Sequence, residues 1–230
     1  MRLIGVALLA YLGSTALMAG TIDPCTAEPL SVYLTSTTGC QIGGFVFGSF
    51  YYNPTALGTG SIVLASQITV TPILGSAPGL QFSANWTGTG NGGTDSEIGY
   101  HMATVDGQAE ISSTTLGMTG SATGLANALL DEYVCPGGNF TDLCSMNSLD
   151  VVHLHIGIGQ NPGIQTPLGI FGPVSTLSVL KDVRVYGNGQ GIATLSSITN
   201  EFPTPEPVTP LLALSGLLVM WRVRKHRTGR

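Results

Sequence analysis

Two histidines, His153 and His155, have the spacing that most directly suggests chemistry. Side chains two positions apart on a β-strand lie on the same face, so both imidazoles could bind one metal ion. A third ligand would have to come from His101 or from an acidic residue on a neighbouring strand. The alternative is two solvent-exposed histidines on the outer face of a strand. We favour this alternative and predict no metal site.

Two pairs of acidic residues could act together, namely Asp95 with Glu97 and the neighbours Asp131 and Glu132. Hydrolysis of a glycosidic bond requires two carboxyl groups about 5–10 Å apart across a cleft. No aromatic platform can be assigned beside either pair. We therefore favour solvated side chains, or a weak Ca²⁺ site in the Gly- and Asn-rich loop predicted at 87–94.

The sequence contains no pattern typical of a hydrolase. It has no Gly-x-Ser-x-Gly motif, and no motif ties a histidine to a serine. Trp86 with Tyr100, or the run at 50–52, could form a surface on which sugars stack, although such residues more often pack in a core. The sequons at 85–87 and 139–141 are interpreted as coincidental. We predict no catalytic residue, no enzymatic activity and no cofactor.

Acidic residues dominate the part of the chain between its two terminal segments. That part, up to Glu206, contains all 13 acidic residues but only two of the eight basic ones, Lys181 and Arg184, so its formal charge is −11. Such a surface repels phosphate backbones, which excludes nucleic acid as a partner. A low number of charges with many Gly, Ser and Thr residues is common in secreted all-β proteins.

The four cysteines, Cys25, Cys40, Cys135 and Cys144, predict disulfides in an exported protein. Three connectivities are possible, and we favour Cys25–Cys40 with Cys135–Cys144 because these pairs close the shortest loops. A zinc site is disfavoured, since the sequence has no Cys-x-x-Cys motif and the histidines lie far from either pair.

The elements that would position these residues are short strands separated by Gly, Pro and Asn turns. The clearest strand-like runs are at 45–52, 67–74, 79–86, 96–105, 109–118, 149–158, 175–186 and 193–200, with further candidates at 31–34, 61–64 and 128–135. No apolar run in this part shows a sustained period of 3.6. The sequence predicts one all-β domain at 21–200, a two-sheet antiparallel β-sandwich or jelly-roll-like fold.

Finer features follow from the same pattern. The run at 175–186 places alternate residues on one inward face: Leu177, Val179, Lys181, Val183 and Val185. Pro54 is expected to end the strand at 45–52, and 159–173 is expected to be a long loop. Asp106-Gly107 predicts a hairpin, and Asn188-Gly189 predicts a turn.

The first residues have the pattern of a secretory signal peptide at 1–20. Arg2 precedes an apolar run at 3–12, and small residues follow as far as Ala19 and Gly20. This pattern predicts export of the chain.

The last thirty residues form the most distinctive stretch. A linker at 201–207 leads into an apolar segment whose core, 208–221, has 14 residues. As a helix this core is roughly 21 Å long, which is short for a bilayer core of about 30 Å. We predict a short transmembrane helix at 208–223 and a cytoplasmic tail at 224–230. The residues that stop transfer are Trp221, Arg222, Arg224, Lys225 and Arg227.

The order of linker, Pro205-Glu206-Pro207, apolar segment and basic tail resembles the PEP-CTERM sorting signal of Gram-negative bacteria. The resemblance implies that Pro205, Glu206 and Pro207 are recognised by an exosortase, a membrane protease, and that the chain is cut near them after a transient stay in the inner membrane. The domain before the signal resembles the β-rich exported proteins that carry it, in its cysteine placement and in the aromatic strand after Cys40. The protein would then be a non-enzymatic component of the cell surface or of the extracellular polysaccharide.

Three alternatives stay open. The segment at 208–223 could be an ordinary C-terminal membrane anchor. The domain could be a carbohydrate-binding module, an interpretation motivated by the predicted sandwich and its aromatic strands. A secreted hydrolase is the least supported of the three.

Overall fold

A computed structural model describes residues 22–105, 111–138, 151–160 and 162–203 of the protein. Within these ranges the chain is almost entirely β-structure. The elements are β1 (Glu28–Pro29), α1 (Leu30–Tyr33), β2 (Cys40–Ile42), β3 (Phe45–Gly58), a 3₁₀ turn (Ala65–Gln67), β4 (Thr69–Ile73), β5 (Gly79–Thr89), β6 (Gly92–Thr104), β7 (Ile111–Thr123), β8 (Asn127–Pro136), β9 (Val152–Gly159), β10 (Leu168–Val174), β11 (Thr176–Tyr186) and β12 (Ile192–Glu201).

The strands form two six-stranded sheets. Sheet I has the order β1-β4-β5-β12-β7-β10, and sheet II has the order β2-β3-β6-β11-β8-β9. The pairings between these strands are antiparallel. The two sheets pack face to face, which confirms the predicted β-sandwich.

The core lies between the sheets and is filled by alternate residues of the long central strands. The predicted inward face of β11 is confirmed, because Leu177, Val179, Val183 and Val185 are all buried. Sheet I contributes Phe82, Trp86, Leu195 and Ile198 among others. Burying each such large apolar side chain contributes about 1.5–3 kcal/mol.

The Cys25–Cys40 disulfide fastens the segment before β1 to β2, with the two Cα atoms 4.8 Å apart. The first predicted bridge is therefore confirmed. Cys135 is buried at the end of β8, but Cys144 lies outside the described residues, so the second bridge stays a prediction.

Two predictions about strand ends are wrong. The run at 31–34 was predicted as a strand, but its first three residues belong to the helix α1. Leu30 and Tyr33 are both buried, at the helical spacing of three residues. Pro54 does not end its strand, and β3 continues to Gly58. The partner β2 reaches β3 only at residues 45–47, so Pro54 lies where one edge of β3 has no paired strand and a missing N–H costs little.

Three predictions about loops are also wrong. The predicted loop at 87–94 is mostly strand, since β5 ends at Thr89 and β6 begins at Gly92. The predicted loop at 159–173 contains most of β10. The strands on either side of Asp106-Gly107 do not form a hairpin, because β6 belongs to sheet II and β7 to sheet I. The turn at Asn188-Gly189 is confirmed, with φ values of 49° and 86°.

Several predicted segments lie outside the described residues. These are the signal peptide at 1–20, the motif Pro205-Glu206-Pro207, the helix at 208–223 and the basic tail. None of the helices in the described ranges has the length and apolar character needed to cross a membrane.

Candidate binding surface

The outer face of sheet II collects most of the acidic residues singled out in the sequence. Five neighbouring strands each contribute one residue to a row that crosses the sheet, and each residue of the row is paired with the next. In spatial order from β3 to β9 these are Asn53, Glu97, Asp182, Asp131 and His155, which we call the outer row. Neighbouring strands are about 4.8 Å apart, so three carboxyl groups follow one another at close range.

At one end of the outer row, Asp131 binds both histidines of the predicted pair. Its Oδ1 lies 2.8 Å from His153 Nε2 and 2.8 Å from His155 Nδ1. His155 Nε2 donates to the Pro162 carbonyl at 2.7 Å, and the Tyr133 ring stacks on His153 at 4.7 Å between centroids. The acid on a neighbouring strand, foreseen as a third ligand, is thus Asp131, but it acts as a hydrogen-bond acceptor.

Both ring nitrogens of His155 face acceptor oxygens, which favours the imidazolium. Burial alone would lower the pKa of His155, but its hydrogen bonds to Asp131 and to the Pro162 carbonyl, together with the negative charge of Asp131, outweigh burial and raise that pKa. The side chain of His155 is 17% exposed, whereas that of His153 is 49% exposed, as predicted for an outer-face histidine.

The other proposed ligand, His101, lies elsewhere. It contacts Ser178 Oγ at 3.2 Å, and β11 and β8 separate its strand β6 from β9. Burial lowers the pKa of His101. Within the described ranges, no group of three or more His, Cys, Asp and Glu residues is placed to hold a metal ion.

The middle of the outer row has more negative charge than its one guanidinium can balance. Arg184 Nε lies 3.3 Å from Asp95, and Arg184 Nη2 lies 3.4 Å from Asp182. The second carboxylate oxygen of Asp182 is buried and has no hydrogen-bond partner in the part of the chain that the structure describes. Burial, followed by the negative charge of Asp95, raises the pKa of Asp182 to about 6 despite the opposing effect of Arg184.

At the β3 end, Glu97 accepts hydrogen bonds from Asn53 Nδ2 at 2.9 Å and from Tyr51 Oη at 3.4 Å. Tyr51 is 48% exposed and presents an aromatic ring on this face. Asp95 and Glu97 do share a face, as their spacing predicts. They lie on an open sheet surface.

Asp131 and Glu132, the second predicted acidic pair, are separated by the sheet. Successive strand residues point to opposite faces, so Asp131 is outside and Glu132 is inside. Glu132 forms a fully buried ion pair with Lys181, directly opposite on β11. These two acids therefore do not form one carboxylate pair, and the favoured prediction of solvated side chains is wrong for Glu132, which is fully buried.

Glu132 and Lys181 belong to a buried polar cluster that links the two sheets. Asn200 Nδ2 donates to Glu132 Oε1 at 3.0 Å and to Thr114 Oγ1 at 2.6 Å, and Tyr100 Oη donates to Asn200 Oδ1. Burial raises the pKa of Glu132 and lowers that of Lys181, against the mutual attraction of their charges. We call these five residues the inner cluster.

The proposed stacking pair of Trp86 and Tyr100 is part of the core, since both side chains are almost completely buried. Core packing, the alternative weighed in the sequence, is confirmed for them. Within the run at 50–52, Tyr52 is partly buried and donates to the Val63 carbonyl at 2.6 Å. Only Tyr51 of that run is exposed on the outer face of sheet II.

Sequence reasoning missed Asp182, Arg184 and Asn53. The alternation that places Lys181 inward also places Asp182 outward, so the sequence could have predicted the outward position of Asp182. It also missed a polar cleft of about 250 Å³ near the end of sheet I, lined by residues of β5, of β6 and of the segment before the 3₁₀ turn.

The chain is similar to few known proteins. No family model matches it, and no curated protein does. A solved structure of TmCBM61 in complex with β-1,4-galactotriose is 7% identical over 65% of this chain and 86% of that one, with a TM-score of 0.31. The enzymatically active domain of tailspike protein 4 of bacteriophage CBA120 is 14% identical over 66% of this chain and 19% of that one, with a TM-score of 0.25. Such low scores leave function to be argued from the site.

Proposed function

We propose that this chain is a non-enzymatic exported protein that associates with extracellular polysaccharide after an exosortase removes its C-terminal sorting signal. The observation that carries the association is the outer face of sheet II. It presents carboxylates, an amide and the Tyr51 ring at strand spacing on one open surface. A polysaccharide offers a matching series of hydroxyl donors and acceptors, and a tyrosine ring can stack on a sugar face.

The charges of this face select the kind of polysaccharide. Four carboxylates, on Asp95, Glu97, Asp131 and Asp182, lie near one another with Arg184 as the neighbouring guanidinium. An acidic polysaccharide would be repelled, so the partner is neutral or carries amino groups. The carboxylates lie on an open sheet face and not across a cleft, which favours binding over hydrolysis.

The binding proposal can be tested by affinity gel electrophoresis of the exported protein. The probe is the extracellular polysaccharide of the producing cells, separated by ion exchange into neutral, basic and acidic fractions. We expect the neutral or basic fraction to retard the protein, and the double variant Tyr51→Ala/Glu97→Gln to run unretarded. Leu74→Ala, which truncates an exposed side chain directly after β4 of sheet I, is the matched control. Equal migration with and without every fraction would refute the association.

The sorting proposal rests on the tail of the sequence and on the Cys25–Cys40 disulfide, which suits an oxidising compartment. Mass spectrometry of the secreted protein should find a new C-terminus near Pro205-Glu206-Pro207. Glu206→Gln should reduce this processing, whereas Glu201→Gln at the end of β12 should not. Recovery of residues 221–230 in the secreted protein would contradict the proposal.

A further inference from the structure

The polar cleft lies where sheet I leaves one edge of a strand uncovered. β4 pairs with β5 only as far as Ser83, because β4 begins at Thr69. The rest of β5 extends beyond its partner, and residues 61–63 line the cleft together with Asn85 and Thr87 of this extension. Thr94 of β6, in the opposite sheet, completes the lining.

None of the described residues that line the cleft is charged. The side chains of Ser61, Gln67, Asn85, Thr87 and Thr94 supply hydroxyl and amide groups, and Ile62 and Val63 supply apolar surface. Gln67 Oε1 accepts from the Leu64 N–H at 2.8 Å, and the amide also carries two N–H donors. Neutral donors and acceptors beside aliphatic carbon match the surface of a sugar ring, which has hydroxyl groups around a hydrocarbon frame.

One buried hydroxyl gives independent support for a ligand. Thr94 is 1% exposed, and its Oγ1 has no hydrogen-bond partner among the described residues. A buried hydroxyl without a partner destabilises a fold, and such groups call for an explanation by function or by a bound molecule. Rotation about χ1 moves the hydroxyl between three staggered positions, so a ligand hydroxyl in the cleft could complete the missing bond.

The wall of the cleft is held in place before any ligand arrives. Tyr52 Oη donates to the Val63 carbonyl at 2.6 Å, which fixes the segment at 61–63. Ser96 Oγ lies 3.1 Å from Tyr52 Oη and accepts from Trp86 Nε1 at 3.3 Å. A prearranged site loses less conformational entropy on binding.

We propose that this cleft binds a single uncharged sugar ring, as the end or a branch of a neutral polysaccharide. Its volume of about 250 Å³ is slightly below that of typical ligand pockets, which begin at about 300 Å³, so one ring fits better than a chain. The inference rests on the proposed association with polysaccharide and adds a second subsite to it, on sheet I.

The test is an NMR titration of the full-length protein in a detergent without a sugar head group. The probes are D-glucose, D-galactose and D-mannose at millimolar concentration, with D-glucuronate as the charged comparison. We expect one of the neutral sugars to shift the signals of Asn85, Thr87 and Thr94. Glucuronate should bind more weakly, because the cleft offers no positive charge to its carboxylate.

Thr94→Val removes the hydroxyl while keeping the shape of the side chain. We expect it to leave the fold at least as stable and to weaken the neutral sugar about tenfold, the factor that corresponds to one lost hydrogen bond. Thr104→Val is the matched control, since Thr104 Oγ1 is also buried and has no partner among the residues described, but it does not line the cleft. It should bind the sugar as the wild type does.

Three results would overturn the inference. These are no shift in the cleft with any neutral sugar, equal affinity in Thr94→Val and Thr104→Val, or glucuronate binding as tightly as the neutral sugar that binds best. Shifts confined to Tyr51 and its neighbours on sheet II would overturn it while leaving the proposed function intact. If no polysaccharide fraction retarded the wild-type protein in the gel assay, but a neutral sugar still shifted the NMR signals of the cleft, only the proposed function would fail.

Discussion

Two neighbouring residue pairs between β8 and β11 interact in opposite ways, one by attraction and one by repulsion, on the two faces of sheet II. Glu132 of β8 faces Lys181 of β11 inside the sandwich, and the next pair along, Asp131 and Asp182, face each other outside. The inner pair is oppositely charged and fully buried, whereas the outer pair has like charges and is partly exposed. The same pairing of β8 with β11 therefore places attracting charges on the inner face and repelling charges on the outer face.

The difference assigns separate roles to the two faces. The inner cluster has its charges matched and its polar atoms paired across both sheets, as a structural element must when it is buried. The outer row keeps an excess of negative charge and a buried carboxylate oxygen that has no hydrogen-bond partner within the described ranges. Charges that do not serve the fold are the ones to expect at a binding surface.

The largest expected effect comes from breaking the inner pair. Lys181→Met leaves Glu132 buried without its counter-charge, and we expect unfolding to become easier by about 3–5 kcal/mol. Adding Glu132→Gln should restore much of the loss, because glutamine is neutral and still accepts from Asn200 through its amide oxygen. Urea denaturation of both variants measures this. A loss below about 1 kcal/mol for Lys181→Met would contradict a structural role for the pair.

A smaller effect is expected where the cluster crosses to sheet I. Tyr100→Phe removes the hydroxyl that donates to Asn200 Oδ1 and should destabilise the fold by about 1–3 kcal/mol. Tyr186→Phe, a tyrosine on the same sheet that is outside the inner cluster, is the control for the substitution. If both variants were equally stable, the bond between the sheets would contribute nothing.

On the outer row, removing a charge should stabilise the protein. The pKa of Asp182 is raised to about 6 in the folded state, so its contribution to stability is present below about pH 4 and is lost as the pH rises through 6. Asp182→Asn should therefore gain about 1 kcal/mol at pH 7, after allowance for solvent screening, and nothing at pH 4. Asp23→Asn, on an exposed residue, should gain nothing at either pH.

The smallest effect concerns His155. Its raised pKa means that its contribution to stability is complete below about pH 6.5 and is lost as the pH rises through the folded-state value. His155→Gln should therefore lose a few tenths of a kcal/mol relative to wild type at pH 6 and almost nothing at pH 8. Denaturation curves at the two pH values measure the difference. A larger loss at pH 8 would show that the hydrogen bonds matter in the neutral state.

The alternation of side chains along each strand was sufficient to predict which face of sheet II some residues of each region occupy. It placed Lys181 among the apolar residues of the inward face and His153 with His155 on the outward face. It could not predict their partners, because Glu132 is 49 residues from Lys181 and the register of β8 against β11 is set by the fold of the whole chain. Hairpin signals were misleading for the same reason, since β6 and β7 belong to different sheets.

The cleft was beyond sequence reasoning. It depends on how far β4 extends along β5, and on a residue of the opposite sheet, Thr94, that reads in the sequence as part of a loop. The Asn and Thr of the sequon at 85–87 line it, whereas Trp86 between them points into the core. A local motif gave no indication of a site assembled by three separate segments.

The most direct test of the division between the two faces is one affinity gel containing the neutral or basic polysaccharide fraction. We predict that Tyr51→Ala/Glu97→Gln runs unretarded although its melting temperature is unchanged, and that Lys181→Met/Glu132→Gln is retarded like the wild type. Retardation of the outer-face variant, with loss of retardation in the inner-cluster variant, would contradict the account.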